Sequence, residues 1–148
     1  ENTKSIEDIS VGNANVLRHG NDITLIVVGG IAEEVMKAAE ILSDSNIECR
    51  VLSLYSIKPI DIDAIKSACD DTLGIITIEE GNLAGGMGSV VSEVCLDNGF
   101  IPTTFKRFGL ENKYSSIVGS QEYLRSVYKI NYREIVNFIL KESEKWQK

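Results

Sequence analysis

Apolar and polar residues alternate along this chain in blocks that follow two different periods. Short runs with many apolar residues predict strands, and the nearly continuous β-branched run at 23–28 is typical of a strand that is covered on both faces in a parallel sheet. These runs lie at 14–18, 23–28, 47–54, 73–78 and 103–108. Between them, apolar residues recur at the spacing of a helix that buries one face. The alternation predicts an α/β domain with right-handed crossovers and helices on both faces of the sheet.

The predicted helices carry recognisable end signals. One helix spans 31–45 and is followed by Asn46 as a left-handed cap, and others span 86–98 and 121–127. Asp61 and Asn131 are predicted N-caps of two further helices. Apolar residues at helical spacing predict the buried faces: Ile31, Val35, Ala38, Ala39, Leu42, Ile62, Ile65, Cys69, Met87, Val90, Val91, Val94, Tyr132, Ile135, Val136, Ile139 and Leu140.

The length and net charge of the chain limit the number of domains and the classes of partner that it can bind. The chain has 148 residues and 43% hydrophobic residues, which suits one domain. We expect a polar arm or linker at 1–12 and the domain at 13–148. The net charge of −7 argues against a nucleic-acid partner. No apolar run reaches the length of a membrane helix, and the polar, acidic N-terminus is unlike a signal peptide. The chain does not begin with Met, which is typical of an excised piece or a cleavage product, and we expect a piece of a longer enzyme.

Cysteine and histidine usage argues against chemistry performed by this chain alone. Cys49, Cys69 and Cys95 are far apart and form no C-x-x-C motif, which is typical of reduced, structural thiols in the cytoplasm. His19 is the only histidine, so a histidine-based metal site or catalytic triad would need partners from elsewhere. We therefore assign no catalytic and no metal-binding residue.

The segment from Thr77 to Ser89 is the strongest candidate for a site or a subunit contact. It reads as a buried strand, two carboxylates, a glycine-rich turn and the start of a helix. Glu79 and Glu80 are adjacent, so on a strand they point to opposite faces and do not make an acid–base pair. We expect one of them to cap the helix dipole and the other to face a neighbouring domain.

The glycines of this turn match a phosphate-binding fingerprint only in part. Gly86 and Gly88 stand at the first two glycine positions, but Val91 stands at the third. The nearby glutamates also oppose an anion, so a close-packed turn or a subunit contact is preferred over phosphate binding. The adjacent glycines at 29–30 also lack the full phosphate-binding fingerprint, and there a tight turn between strand and helix is expected. The predicted contact residues are Glu79, Glu80, Gly85, Gly86, Gly88 and Ser89.

Arg107 lies at the end of the predicted strand 103–108. We weigh two interpretations for its side chain. It meets an acidic group or a partner, or it is simply solvated at the surface.

Several segments, in this order, resemble the C-terminal domain of the transketolase family. They are 56–61 (SIKPID), 77–80 (TIEE) and 85–89 (GGMGS). The turn at 18–24 and the segment 107–110 also resemble that family, and the similarity extends from about residue 12 to 140. The family includes transketolases, deoxyxylulose phosphate synthases and the beta subunits of 2-oxoacid dehydrogenases.

The resemblance implies a three-layer α/β/α fold around a five-stranded mixed sheet, in the order 1-3-2-4-5 with strand 1 antiparallel. It also implies a parent enzyme that uses thiamine diphosphate and Mg to transfer a two-carbon ketol unit between sugar phosphates. The family holds this cofactor with a Gly-Asp-Gly motif and a glutamate in other domains, and no Gly-Asp-Gly occurs here. The implied role is a scaffold at a homodimer interface, with no cofactor bound by this chain.

Alternatives remain open at this point. The domain also fits a deoxyxylulose phosphate synthase or a 2-oxoacid dehydrogenase beta subunit that docks to its acyltransferase core. From a different class, it fits a free-standing module that binds a small ligand at 85–89. A saturable rise in melting temperature with a nucleotide or a sugar phosphate would favour that module.

Overall fold

A five-stranded mixed sheet forms the centre of the molecule in the computed structural model, which describes residues 10–111 and 116–146. Its strands are β1 (Ala14–Arg18), β2 (Ile23–Val27), β3 (Cys49–Leu54), β4 (Gly74–Asn82) and β5 (Thr104–Leu110). Their order is β1-β3-β2-β4-β5. β1 runs antiparallel to β3, and the other neighbours are parallel. The strand order and the antiparallel first strand implied by the resemblance are confirmed.

The residues that the structure describes form five α-helices. They are α1 (Ala32–Ser43), α2 (Ile62–Asp71), α3 (Met87–Asn98), α4 (Gln121–Val127) and α5 (Tyr132–Ser143). The two helices with predicted N-caps, α2 and α5, begin directly after the capping residues. The Asp61 carboxylate accepts a hydrogen bond from the Ala64 amide at 2.9 Å, and the Asn131 side chain accepts one from the Glu134 amide at 3.1 Å. Asn46 has a φ of 58°, so the predicted left-handed conformation is also confirmed.

The helices cover both faces of the sheet and make the fold three-layered. α1 and α5 pack on one face, against apolar side chains of β2, β3 and β4. α2 and α3 pack on the other face, against the alternate side chains of the same strands. The central strand β2 is buried at every position. This explains why it reads as a continuous apolar run in the sequence, because a strand covered twice has no polar face.

Some sequence-based expectations are wrong in detail. Ile62 and Leu140, predicted on buried helix faces, are 44% and 37% exposed. Both stand at the border of the apolar stripe, where spacing alone does not decide the side. β4 does not end at residue 78, as the apolar run predicts, but continues to Asn82, since its last residue still pairs with β5. Most of the predicted arm at 1–12 lies outside the described residues.

The topology marks one edge of the sheet as special. β2 lies between β3 and β4, so the chain crosses over β2 on its way from β3 to β4. In open α/β sheets such a switch point leaves a crevice at the carboxyl ends of the strands. The glycine-rich turn follows β4 at this edge. In the part of the chain that the structure describes, every helix is too short or too polar to cross a bilayer.

Candidate functional site

Glu79 is buried at the carboxyl end of β4 and caps helix α3. Its residue exposure is 3%. One carboxylate oxygen accepts a hydrogen bond from the Met87 amide at 2.8 Å, and the other accepts one from the Gly88 amide at 3.0 Å. The first amides of a helix have no partner within the helix and carry its positive end. Glu79 is therefore the carboxylate that caps the helix dipole.

Two glycines make room for this contact. A Cβ on Gly86 would lie 2.3 Å from the Asn82 carbonyl oxygen and 2.3 Å from Glu79 Oε2. A Cβ on Gly88 would lie 2.4 Å from Thr77 Oγ1. Any side chain at either position would therefore displace the capping carboxylate or the strand beneath the helix. The glycines serve close packing of α3 on β4.

The underside of the turn is fixed by Arg107 of β5. Its Nη1 donates to the Leu83 carbonyl and to Ser89 Oγ, both at 2.9 Å. Ser89 Oγ in turn donates to the Leu83 carbonyl at 2.6 Å and accepts from the Gly85 amide at 3.2 Å. Arg107 thus ties together the two ends of the turn. The interpretation of Arg107 as simply solvated is therefore wrong. Its two acceptors are a carbonyl and a hydroxyl, not the expected acidic group, and contact with a partner stays a prediction.

Glu80 points away from Glu79 and forms an ion pair. Its Oε1 accepts a hydrogen bond from Arg125 Nε at 2.7 Å, and the two side chains are 35% and 10% exposed. Arg125 belongs to α4, so the pair joins the end of β4 to a helix much later in the chain. A Cβ on Gly30 would lie 3.8 Å from Arg125, which places the ion pair beside the turn after β2.

The arrangement is suited to rigidity and poorly suited to binding an anion. The amides at the start of α3 that could bind a phosphate already donate to Glu79. Within residues 10–111 and 116–146, no group of three or more His, Cys, Asp or Glu side chains is placed to hold a metal ion. The donor set of this edge therefore does not fit a diphosphate with its divalent metal.

The predicted contact residues occupy different depths of the turn. Glu80 and Gly85 are exposed, Gly86 and Ser89 are half-buried, and Gly88 is buried like Glu79. Only the first four can therefore present atoms to a partner, and the two buried residues support them from below. Their contact with a partner stays a prediction.

The sequence does not indicate the roles of three residues at this site, although Leu83 and Thr77 lie within the candidate segment. The role of Arg125 in a long-range ion pair and that of Leu83 as a carbonyl acceptor leave no local pattern. Thr77 is fully buried, and its hydroxyl has no hydrogen-bond partner among the described residues. The sequence does offer one signal for Thr77, since it is a polar residue inside an otherwise apolar strand.

Comparison with known proteins places this geometry in a family. The family model described as "Transketolase, C-terminal domain" matches residues 12–135. An apulose-4-phosphate transketolase subunit of Actinobacillus succinogenes is 35% identical over 129 residues, which are 87% of this chain and 41% of that protein. The 1-deoxy-D-xylulose-5-phosphate synthase of Desulforudis audaxviator is 36% identical over 137 residues, which are 93% of this chain and 21% of that protein.

A solved structure shows the same fold. The structure described as "Split gene transketolase, inactive beta4 tetramer" superposes with a TM-score of 0.80 at 27% sequence identity, and the match covers 90% of this chain and 43% of that one. The chain thus spans less than half the length of the relatives it matches. With residues 12–135 matched by the family model, the chain belongs to the transketolase C-terminal domain family.

Proposed function

We propose that this chain is the scaffold and subunit-contact domain of a thiamine diphosphate-dependent transketolase. The parent enzyme transfers a two-carbon ketol unit between sugar phosphates, and other regions of the protein hold the cofactor. Family membership supports the proposal, as do relatives that are named as single subunits of transketolases. The chain corresponds to 41% of one such subunit, so further domains complete the enzyme.

The observation that carries this proposal is the capping of α3 by Glu79. A ligand site needs polar groups that are free to exchange solvent for ligand. Here the carboxylate and both amides satisfy one another inside the protein. Arg107 is likewise committed to Leu83 and Ser89. A turn with its polar groups paired internally supplies a rigid surface at low entropic cost, which suits docking of a preformed partner.

The contact surface in this proposal is the outer side of the turn, 80–86. Its exposed residues include Glu80, Ala84 and Gly85. The structure holds this surface from beneath through Glu79 and Arg107. The partners are the other domains of the parent enzyme and a second copy of it.

The cofactor part is tested with the chain by itself. Isothermal titration with thiamine diphosphate and Mg²⁺ should give no saturable binding, and the chain should show no ketol transfer with sugar phosphates. A saturable isotherm or measurable turnover would overturn the assignment of the cofactor to other regions.

The contact part is tested in the full-length polypeptide that carries this domain. Ala84→Arg places a charged side chain on the outer side of the turn and should weaken dimerisation about tenfold or more, since an unpaired buried charge is costly. Asn98→Arg adds the same charge at the exposed far end of α3 and is the matched control. Equal dimer dissociation constants for both variants, measured by analytical ultracentrifugation, would reject this surface.

A deoxyxylulose phosphate synthase is the second candidate for the parent enzyme. It is favoured by the relative from Desulforudis audaxviator, whose match covers 93% of this chain. Product analysis of the full-length enzyme distinguishes the two. Two-carbon transfer between sugar phosphates identifies a transketolase, and formation of 1-deoxy-D-xylulose 5-phosphate identifies the alternative.

A further inference from the structure

Two thiols face each other between the helices that cover one side of the sheet. Cys69 lies on α2 and Cys95 lies on α3, and their sulfur atoms are 4.0 Å apart. Cys95 is 4% exposed, whereas Cys69 is half-buried and reachable from solvent. The third cysteine, Cys49, is fully buried in the core on the opposite face of the sheet. The chain therefore holds one neighbouring pair and one isolated thiol.

The separation is that of two thiols in contact. A disulfide requires about 2.05 Å between the sulfur atoms, so side-chain rotation and a small approach of α2 to α3 must close the gap. Both residues lie within regular helices and pack in the same apolar cluster, Cys95 as a buried member and Cys69 at its margin. Folding thus holds the two sulfur atoms at a high effective concentration relative to each other.

We propose that Cys69 and Cys95 form a reversible oxidative modification site that a small-molecule disulfide, such as glutathione disulfide, converts into an intramolecular bridge. No catalytic role of the domain is needed for this inference, and it does not rest on the proposed function. The bridge links the two helices on the α2–α3 face and leaves the other face unchanged.

The reaction balances as two successive thiol–disulfide exchanges. The deprotonated sulfur of Cys69 attacks one sulfur of glutathione disulfide, and a glutathione thiolate leaves and takes a proton. The sulfur of Cys95, after losing its proton to solvent, then attacks Cys69 Sγ in the mixed disulfide and expels the second glutathione. The second glutathione also leaves as a thiolate and takes a proton. The protein thereby loses two protons and two electrons, and glutathione disulfide is reduced to two glutathione molecules.

The surroundings of Cys69 and Cys95 determine how fast the two thiols are oxidised. Burial raises the pKa of Cys69 to about 12, with further contributions from Cys95 and Asp70. Burial also raises the pKa of Cys95, although its hydrogen bond with Cys69 opposes this. Because the thiolate is the attacking species, oxidation at neutral pH is slow. The site therefore responds to sustained oxidation and is indifferent to brief exposure.

The bridge would enclose the segment that carries the glycine-rich turn. The chain between Cys69 and Cys95 contains β4, Glu79 and the start of α3. A cross-link that closes such a loop restricts the unfolded chain and raises the melting temperature of a domain of this size by roughly 5–10 °C. Reduction should return the melting temperature to its starting value.

The test uses the purified chain incubated with excess glutathione disulfide for hours to days. Intact-mass spectrometry should show the loss of two hydrogens without a retained glutathione, and peptide mapping should find Cys69 joined to Cys95. Dithiothreitol should reverse both the mass change and the rise in melting temperature. Cys49→Ala should react like the unsubstituted chain, whereas Cys69→Ala should give no bridge and no rise.

Several results would overturn the proposal. The first is a glutathione that stays attached to Cys69 while Cys95 remains a free thiol, and the second is a bridge that involves Cys49. The third is a folded chain that does not react at all, although the same chain unfolded in urea is oxidised by glutathione disulfide under the same conditions. Cys95→Ala should trap the mixed disulfide on Cys69, because the resolving thiol is missing. Peptide mapping of the disulfide is done on the unsubstituted chain. The proposal can therefore be tested even if one of the cysteine variants fails to fold.

Discussion

The chain contains two glycine pairs at the same edge of the sheet, and they serve different purposes. Gly29 and Gly85 are alike, with φ values of 76° and 74° and open space where a Cβ would be. The second glycines differ. A Cβ on Gly30 would be no closer than 3.8 Å to any atom outside its immediate neighbours, whereas one on Gly86 would overlap the Asn82 carbonyl oxygen at 2.3 Å.

The difference comes from what fills the space behind each pair. After β4, the Glu79 side chain turns back into the start of α3 and occupies the position that a side chain on Gly86 would need. After β2, the residue at the N-terminal boundary of α1 makes no side-chain capping bond, and the turn closes with a short 3₁₀ helix at Gly29–Ile31. The same dipeptide therefore marks an open turn in one place and a filled one in the other.

The largest effect should come from Gly86→Ala. Its methyl group would displace either the strand carbonyl or the capping carboxylate, so we expect a loss of about 3 kcal/mol in the free energy of unfolding. Gly30→Ala is the matched control and should change the free energy by less than about 0.5 kcal/mol. Urea denaturation measures both. Equal values for the two variants would remove the distinction between the turns.

Glu79→Gln should have the next largest effect. The amide keeps the shape of the carboxylate but can accept from only one of the two amides, and its NH₂ group faces the other donor. Leaving one buried donor unsatisfied and removing the charge at the helix N-terminus should cost about 2 kcal/mol.

The control for this variant is Glu80→Gln, which should cost less because its side chain is 35% exposed. Amide hydrogen exchange gives a second measurement, since the protection of Met87 and Gly88 should fall only when Glu79 is changed. If Glu80→Gln were the more destabilising of the two, the role assigned to Glu79 would be wrong.

The sequence predicted the elements of this fold well and their ends less well. The short apolar runs predict all five strands, and the prediction is clearest for β2, where burial on both faces removes polar alternation. The antiparallel direction of β1 and the strand order follow only from the family resemblance, since pairing partners leave no local signal. β4 extends to Asn82 past two glutamates that resembled the start of a loop. Tertiary contacts decide that extension, because Glu79 is stabilised by helix amides and not by water.

The ion pair beside the Gly29–Gly30 turn is the third way to probe the comparison. A double-mutant cycle with Glu80→Gln and Arg125→Met should give a coupling energy of about 1 kcal/mol, since one partner is nearly buried. Added salt should reduce this coupling. The exposed pair Lys66 and Asp70 on α2 is the reference, and its coupling should be below about 0.5 kcal/mol. A coupling no larger than that of the reference would mean that the two turns are not linked through α4.

The candidate site was only partly readable before the structure. That one of the two adjacent glutamates caps α3 follows from strand alternation and the helix dipole. Which one does so depends on the face that α3 covers, and this is a property of the packed sheet. Arg125 is separated from Glu80 by 45 residues, so no spacing rule connects them. Arg107 shows the same limit, because its acceptors are a backbone carbonyl and a hydroxyl in a turn.

The smallest effects on stability are expected at Gly29 and Gly85, the first glycines of the two pairs, which share a left-handed backbone conformation. Gly29→Ala and Gly85→Ala should each cost about 0.5–1 kcal/mol, because a left-handed backbone disfavours a Cβ even where space is open. The two costs should agree with each other, although the neighbouring Gly30→Ala and Gly86→Ala differ widely. Thermal and urea unfolding of the four variants gives the comparison directly. A much larger cost at Gly85 than at Gly29 would show that the first glycine after β4 also serves packing, so that the whole turn and not only its second glycine is filled.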